Sequence, residues 1–310
     1  MTAILAGVLP IFLLIALGYG LRASRFLPRE AWGPVERFAI YVLYPGFLVP
    51  SIWQADLSGL SAGALGLSVV GSVVLVGGLT VLIRPLLKVP DPTFTSIFQG
   101  VVRWNAFVFL PVIGAIYGAE GLAMSGVVIS ALIPVVNVMC VLVLVRWGAD
   151  QPRTGARAVT RSLVQNPILM ACFAGLILNV LKVPAIPGLT EALKMLGQAA
   201  LPAGLVIAGA GLSFSHALTR PWTIGTVSAV KLLVLPLIMW GLCRLLGGDV
   251  LAQGVALACG TAPGAAASYV LARQMGGDAP VMAGIVALTT VASAVTIPLM
   301  LGFLGVMPGA

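Results

Sequence analysis

Charge is what this sequence has least of. Asp, Glu, Lys and Arg make up 8% of its 310 residues, 17 basic and 9 acidic, against roughly 25% in an ordinary soluble domain. With 60% apolar residues and a mean hydropathy of +1.10, too few ionic groups remain to cover a globule of 31.8 kDa. A water-soluble fold is excluded, and most of the outer surface faces hydrocarbon. Disorder and disulfide-stapled secreted scaffolds fall on the same ground. Histidine is almost missing: His216 is the single one, placed in a loop near Arg220, and with no HExxH pattern a metal site and metal-dependent hydrolysis have no carrier. The four cysteines, Cys140, Cys172, Cys243 and Cys259, lie in separate apolar stretches with no CxxC, so they read as small packing residues. No Walker-type phosphate loop is present, which excludes ATP-driven transport on this chain. No set of nucleophile, base and orienting group supports an enzyme, and no cofactor is implied.

Acidic residues are also absent from the cores of the apolar runs. All nine, Glu30, Glu36, Asp56, Asp91, Glu120, Asp150, Glu191, Asp249 and Asp278, read as loop or helix-end positions, so a buried proton relay or a carboxylate sodium site has no evident carrier. Uniport driven by the membrane potential and ion coupling through backbone carbonyls both stay open.

What is abundant is long apolar runs. Stretches near 20 residues fall at 2 to 21, 32 to 54, 59 to 83, 94 to 118, 121 to 147, 166 to 183, 189 to 212, 221 to 246, 250 to 273 and 279 to 304, which predicts ten membrane-spanning helices. The net charge of +8 is no sign of nucleic-acid binding, because the basic residues sit between apolar runs instead of clustering on one wetted face. Alternate loops hold twelve of the Lys and Arg residues on one side and three on the other. The positive-inside rule then places both termini outside the cytoplasm of an inner-membrane protein and the loop 148–165 within it. Trp32, Trp53, Trp147 and Trp222 fall at predicted helix ends, as an interfacial aromatic belt requires.

Self-similarity at an offset near 158 residues points to mechanism. The segment Gly118 to Val128 reads like Gly276 to Val286, pairing Met124 with Met282, Gly126 with Gly284 and Glu120 with Asp278. Residues 1–147 and 166–310 are then two five-helix repeats. An odd number of helices inserts the second in the opposite sense, the inverted-repeat arrangement of secondary transporters. In such folds the substrate site forms where matching helices are interrupted. Here the fourth carries Arg103, Asn105 and Pro111, and the ninth carries Pro263-Gly264 in a small-residue run ending at Ser268. Proline removes a backbone donor and glycine permits close backbone approach. Half-helix N-termini following such breaks suit an anion.

Asn105 to Pro111, Tyr117-Gly118, Ala262-Pro263-Gly264, Tyr269 to Gln274, Thr290, Ser293 and Ile297 to Leu299, with Lys231 to Pro236, together resemble the auxin efflux carrier family over essentially the whole chain. The resemblance implies an all-α, ten-helix fold related to the bile-acid/sodium symporters. It also implies crossing helices four and nine, a scaffold part and a mobile elevator-type transport part each drawn from both repeats, and a homodimer through the scaffold. Phe107 and Phe109 stand where many relatives carry small residues.

Two cations, Arg103 and Lys231, fall inside apolar runs. A lipid-facing charge at Lys231 would cost several kcal/mol, so it faces inward, as an attractor for an anion or a resident cation against the carbonyl ends of the broken helices; the alternative is snorkelling. Arg103 either meets substrate or reaches the aqueous vestibule. Asn105 and Asn137 offer polar groups to a bound anion or tie helices together, and Thr290 and Ser293 share one helical face. The expected site is therefore Asn105, Pro111, Pro263, Gly264, Lys231, Arg103, Asn137 and Ser268. The expected function is a secondary carrier of small organic anions, malate-like or auxin-like carboxylates. A sodium-coupled symporter and a non-transporting membrane sensor with the carrier fold are the alternatives.

Overall fold

A computed structural model describes residues 2–55, 61–149, 166–215, 219–304 and 306; His216 and most of the loop 148–165 lie outside these. Every regular element among the described residues is helical. We label them α1 (Thr2–Ala23), α2 (Trp32–Trp53), α3 (Ala62–Leu82), α4 (Asp91–Val102), α5 (Ala106–Trp147), α6 (Pro167–Val180), α7 (Leu189–Ala210), α8 (Pro221–Leu245), α9 (Val250–Thr261), α10 (Ala267–Gln274) and α11 (Ala279–Phe303). Among the described residues, six stretches are long and apolar enough to cross a membrane: α2, α3, the run Asp91–Trp147, α7, α8 and α11. The shorter apolar helices are Val8–Ala23, Pro167–Val180 and Val250–Thr261. The chain is an integral membrane protein, and its outward faces follow from helical periodicity. Leu9, Leu13 and Leu17, four residues apart on α1, are 58%, 59% and 50% exposed, and Val291, Val295 and Leu299 form the same stripe on α11.

The helices pack as two groups. α1, α2, α6 and α7 hold closely to one another, and α3, α4, α5, α8, α9, α10 and α11 form the other group. α5 and α11 supply much of the contact between them. Both groups draw on both halves of the chain, so the packing units differ from the two sequence halves.

Interruptions in the helices have local causes. α4 ends where Arg103 turns extended (φ −81°, ψ 148°). α5 restarts behind Asn105, whose Oδ1 accepts a hydrogen bond from the Phe107 N–H at 2.9 Å, the side-chain cap that Asn prefers over continuing a helix. The break therefore spans residues 103–105. Pro111, expected to belong to the interruption, is corrected: it lies buried inside α5, where its missing N–H removes a single hydrogen bond and its fixed φ remains helical. α9 ends at Thr261, Ala262 is extended (φ −61°, ψ 134°), and α10 begins at Ala267 with no side-chain cap. α5 also bends at Gly118 (φ 58°, ψ −145°), a conformation open to glycine and costly for other residues.

A π-helical turn at Val230–Val234 precedes Pro236 in α8. Such a turn absorbs the missing proline donor and re-aims the side chains it carries, Lys231 among them. α8 and α9 approach so closely here that a Cβ on Gly260 would collide with the Pro236 backbone.

Candidate substrate cavity

Between the two groups lies a cavity of about 800 Å³. One group contributes Arg22 of α1, Trp32, Glu36 and Ile40 of α2, Asn166 at the start of α6, and Ile207, Ala208 and Ala210 of α7. The other contributes Arg103 to Phe107, Ile133, Val136 and Asn137 of α5, Ala265 to Ala267 and Tyr269 to Leu271 around α10, and Ala283 and Val286 of α11. Both helix breaks reach this wall.

Arg103 is the cation of the first break. Its Nη2 donates to Asn137 Oδ1 at 2.7 Å, which fixes the guanidinium across from α5 while the side chain stays half-buried on the cavity. Asn105 is 6% exposed. Its carbonyl oxygen is occupied by the cap, so its side-chain NH2 is the group left to meet a ligand. Arg22 reaches the carbonyl of Ala210 at the end of α7. A second asparagine cap, Asn166, accepts from Ile168 and Leu169 N–H groups, each at 3.1 Å. The starts of α5, α6 and α10 thus all lie on the cavity, and helix N-termini carry partial positive charge. Two guanidiniums, three helix N-termini and an asparagine amide face one small space, and this set of donors suits an anion.

Three of the expected site residues, Arg103, Asn105 and Asn137, are brought together on this wall. Pro111, Pro263, Gly264, Ser268 and Lys231 do not line it. Gly264 donates its N–H to Thr289 Oγ1 at 3.0 Å, which holds the second break against α11; residues one to three places further on form the wall. Ser268 is fully buried, and Gln99 one turn before the first break is buried too; among the described residues neither the Ser268 Oγ nor either amide atom of Gln99 has a hydrogen-bond partner. Lys231 is 1% exposed and its Nζ donates to the Gly260 carbonyl at 3.1 Å. That geometry holds the amine inside the protein at the carbonyl end of α9, where the partial charge of a helix C-terminus is negative, and not at a membrane surface. The Thr290 and Ser293 hydroxyls are buried and donate to the Val286 and Thr290 carbonyls of their own helix, at 2.8 and 2.7 Å. They are packing groups away from the cavity.

Sequence reasoning missed Arg22, Trp32, Glu36 and Asn166. The first three were assigned to topology, to the aromatic belt and to a helix end. The available signal was position: Glu36 lies four residues inside its own predicted span, 32 to 54.

A helical membrane protein with a polar, donor-rich cavity between two packing groups and at two helix interruptions is built as a carrier. Comparison with known families matches residues 3–301 to the one described as "Membrane transport protein". The chain belongs to this family, that of the auxin efflux carriers. Among curated proteins it is similar to one from Rhizobium meliloti (strain 1021) named "Putative malonate transporter", 26% identical over 306 residues, covering 94% of this chain and 92% of the other. It is likewise similar to one from Methanothermobacter thermautotrophicus named "Uncharacterized transporter", 26% identical over 295 residues, covering 94% and 95%.

Proposed function

We propose that this protein is a secondary carrier of small organic anions, with short carboxylates as substrates, working by alternating access. The observation that carries the reading is the wall shared by Arg103, Asn105, Arg22 and the uncapped start of α10. The anion's carboxylate binds at the Asn105 amide and the N-termini of α5 and α10, and Arg103, held by Asn137, supplies the compensating charge. The name of the Rhizobium meliloti relative favours a short dicarboxylate.

The same reading extends to architecture. Counting the shorter apolar helices as spans and dividing the run Asp91–Trp147 at its kink gives ten, arranged as two inverted five-helix repeats whose fourth and ninth spans break and cross. α1, α2, α6 and α7 are the scaffold, through which a homodimer forms; the remaining helices are the elevator-type transport part. The cavity reaches the end of α1, the starts of α2 and α6 and the end of α7. By the basic-loop bias this is the cytoplasmic side, so the carrier faces inward, in the inner membrane, with both termini outside.

The test is counterflow in proteoliposomes preloaded with malonate. The native protein accumulates labelled malonate, and Asn105→Ala lowers the initial rate by about 100-fold or more, the range for losing both a positioned donor and a helix cap. An unchanged rate in that variant overturns the site.

A further inference from the structure

Among the described residues, the cavity wall carries one carboxylate. Glu36 lies in the second turn of α2, half-buried, and among the lining residues it is the only acid. No hydrogen bond or ion pair of its side chain occurs among the described residues. The other titratable side chains that line the same cavity are Arg22 from α1, Arg103 from the first break and Tyr269 from α10. α7, which packs against this end of α2, presents Ile207, Ala208 and Ala210 and nothing that titrates. On its own helix Arg37 is exposed and lies off the cavity wall.

We infer that this cavity takes up a proton together with its anion, and that the proton is held by the Glu36 carboxylate. The inference rests on the anion-carrier reading above. In the empty cavity Glu36 shares the wall with the guanidiniums of Arg22 and Arg103. An incoming carboxylate uses the field of those same arginines and brings a second negative charge into the space. A sphere of the cavity's volume is about 12 Å across, and charges on a partly buried wall are screened less than charges in open solvent, so the two carboxylates repel one another. The arrangement of lower energy is anion plus protonated Glu36. By reciprocity, a proton on Glu36 tightens anion binding by the same factor as the anion tightens proton binding. The proton comes from water on the side to which the cavity opens and returns there when the anion leaves.

The experiment is calorimetric titration of malonate into the purified full-length protein, run in two buffers of different ionisation heat and repeated over a pH series, with Glu36→Gln and Glu36→Asp in parallel. The native protein takes up about one proton more per malonate bound than the Gln variant, and its Kd rises about tenfold per pH unit on the alkaline side while that of the Gln variant stays flat. The Asp variant keeps the proton uptake. Subtracting the Gln variant removes any proton taken by malonate itself. Equal proton uptake and parallel pH curves in native and Gln proteins overturn the proton site and leave the anion site standing. Failure of the native protein to bind malonate overturns the anion reading, and this inference with it.

Discussion

The two helix breaks sit about 159 residues apart and solve the same problem with different chemistry. The first, Arg103-Trp104-Asn105, works through side chains: a guanidinium tied to Asn137 and an asparagine that caps the helix it starts. The second, Ala262 to Ala266, has no polar side chain. It offers backbone, held in place by the Gly264 to Thr289 hydrogen bond and left uncapped at the start of α10. On the proposed reading, one break supplies charge and the other close approach, because a wall of alanine and glycine leaves helix N–H groups open that larger side chains would cover.

That division predicts that substitutions at the two breaks fail in different ways. Arg103→Ala removes the compensating charge, and malonate affinity measured by titration falls by about 30- to 1000-fold, corresponding to the roughly 2 to 4 kcal/mol lost with a partner of a buried charged hydrogen bond. Stability falls less, because Asn137 keeps access to the cavity. Thr289→Val acts the other way round: it leaves the buried Gly264 N–H without a partner and lowers unfolding stability by about 1 to 3 kcal/mol. Thr289→Ser restores it, and Kd in the folded Val variant rises by less than about tenfold, since Thr289 is off the cavity wall. Lys231→Met is the smallest effect on binding, a change in malonate Kd of less than about threefold, because Lys231 contacts the carbonyl end of α9 and not the cavity. A loss at Lys231 as large as at Arg103 would dissolve the distinction between the charge that meets substrate and the charge that steadies the break.

How far these features were readable in the sequence varies with their physical origin. Helix positions follow from hydropathy, and Asn105 followed from an asparagine standing where a helix was already suspected of stopping. Pro111 misled because a membrane helix can run through a proline, as α5 does again at Pro134 and α11 at Pro298. That Lys231 faces inward is legible from the cost of a charge in lipid, but its particular partner, the Gly260 carbonyl, is not, since the π-helical turn that aims it has no composition signal. Arg22 and Glu36 were overlooked for a different reason. The cavity extends from the breaks to the helix ends on one side, so residues that look like interfacial anchors in one dimension line a binding space in three.

Protection of an engineered thiol tests the central claim most directly. The native cysteines are all buried, so Ala265→Cys and Ala106→Cys, on the cavity side of the two breaks, supply the reactive positions, with Leu9→Cys on the lipid-facing stripe as control. Saturating malonate is predicted to slow labelling by a small charged thiol reagent at both cavity positions and to leave Leu9→Cys unchanged. Labelling at positions 265 and 106 that proceeds equally fast with and without malonate would contradict a substrate site shared by the two breaks.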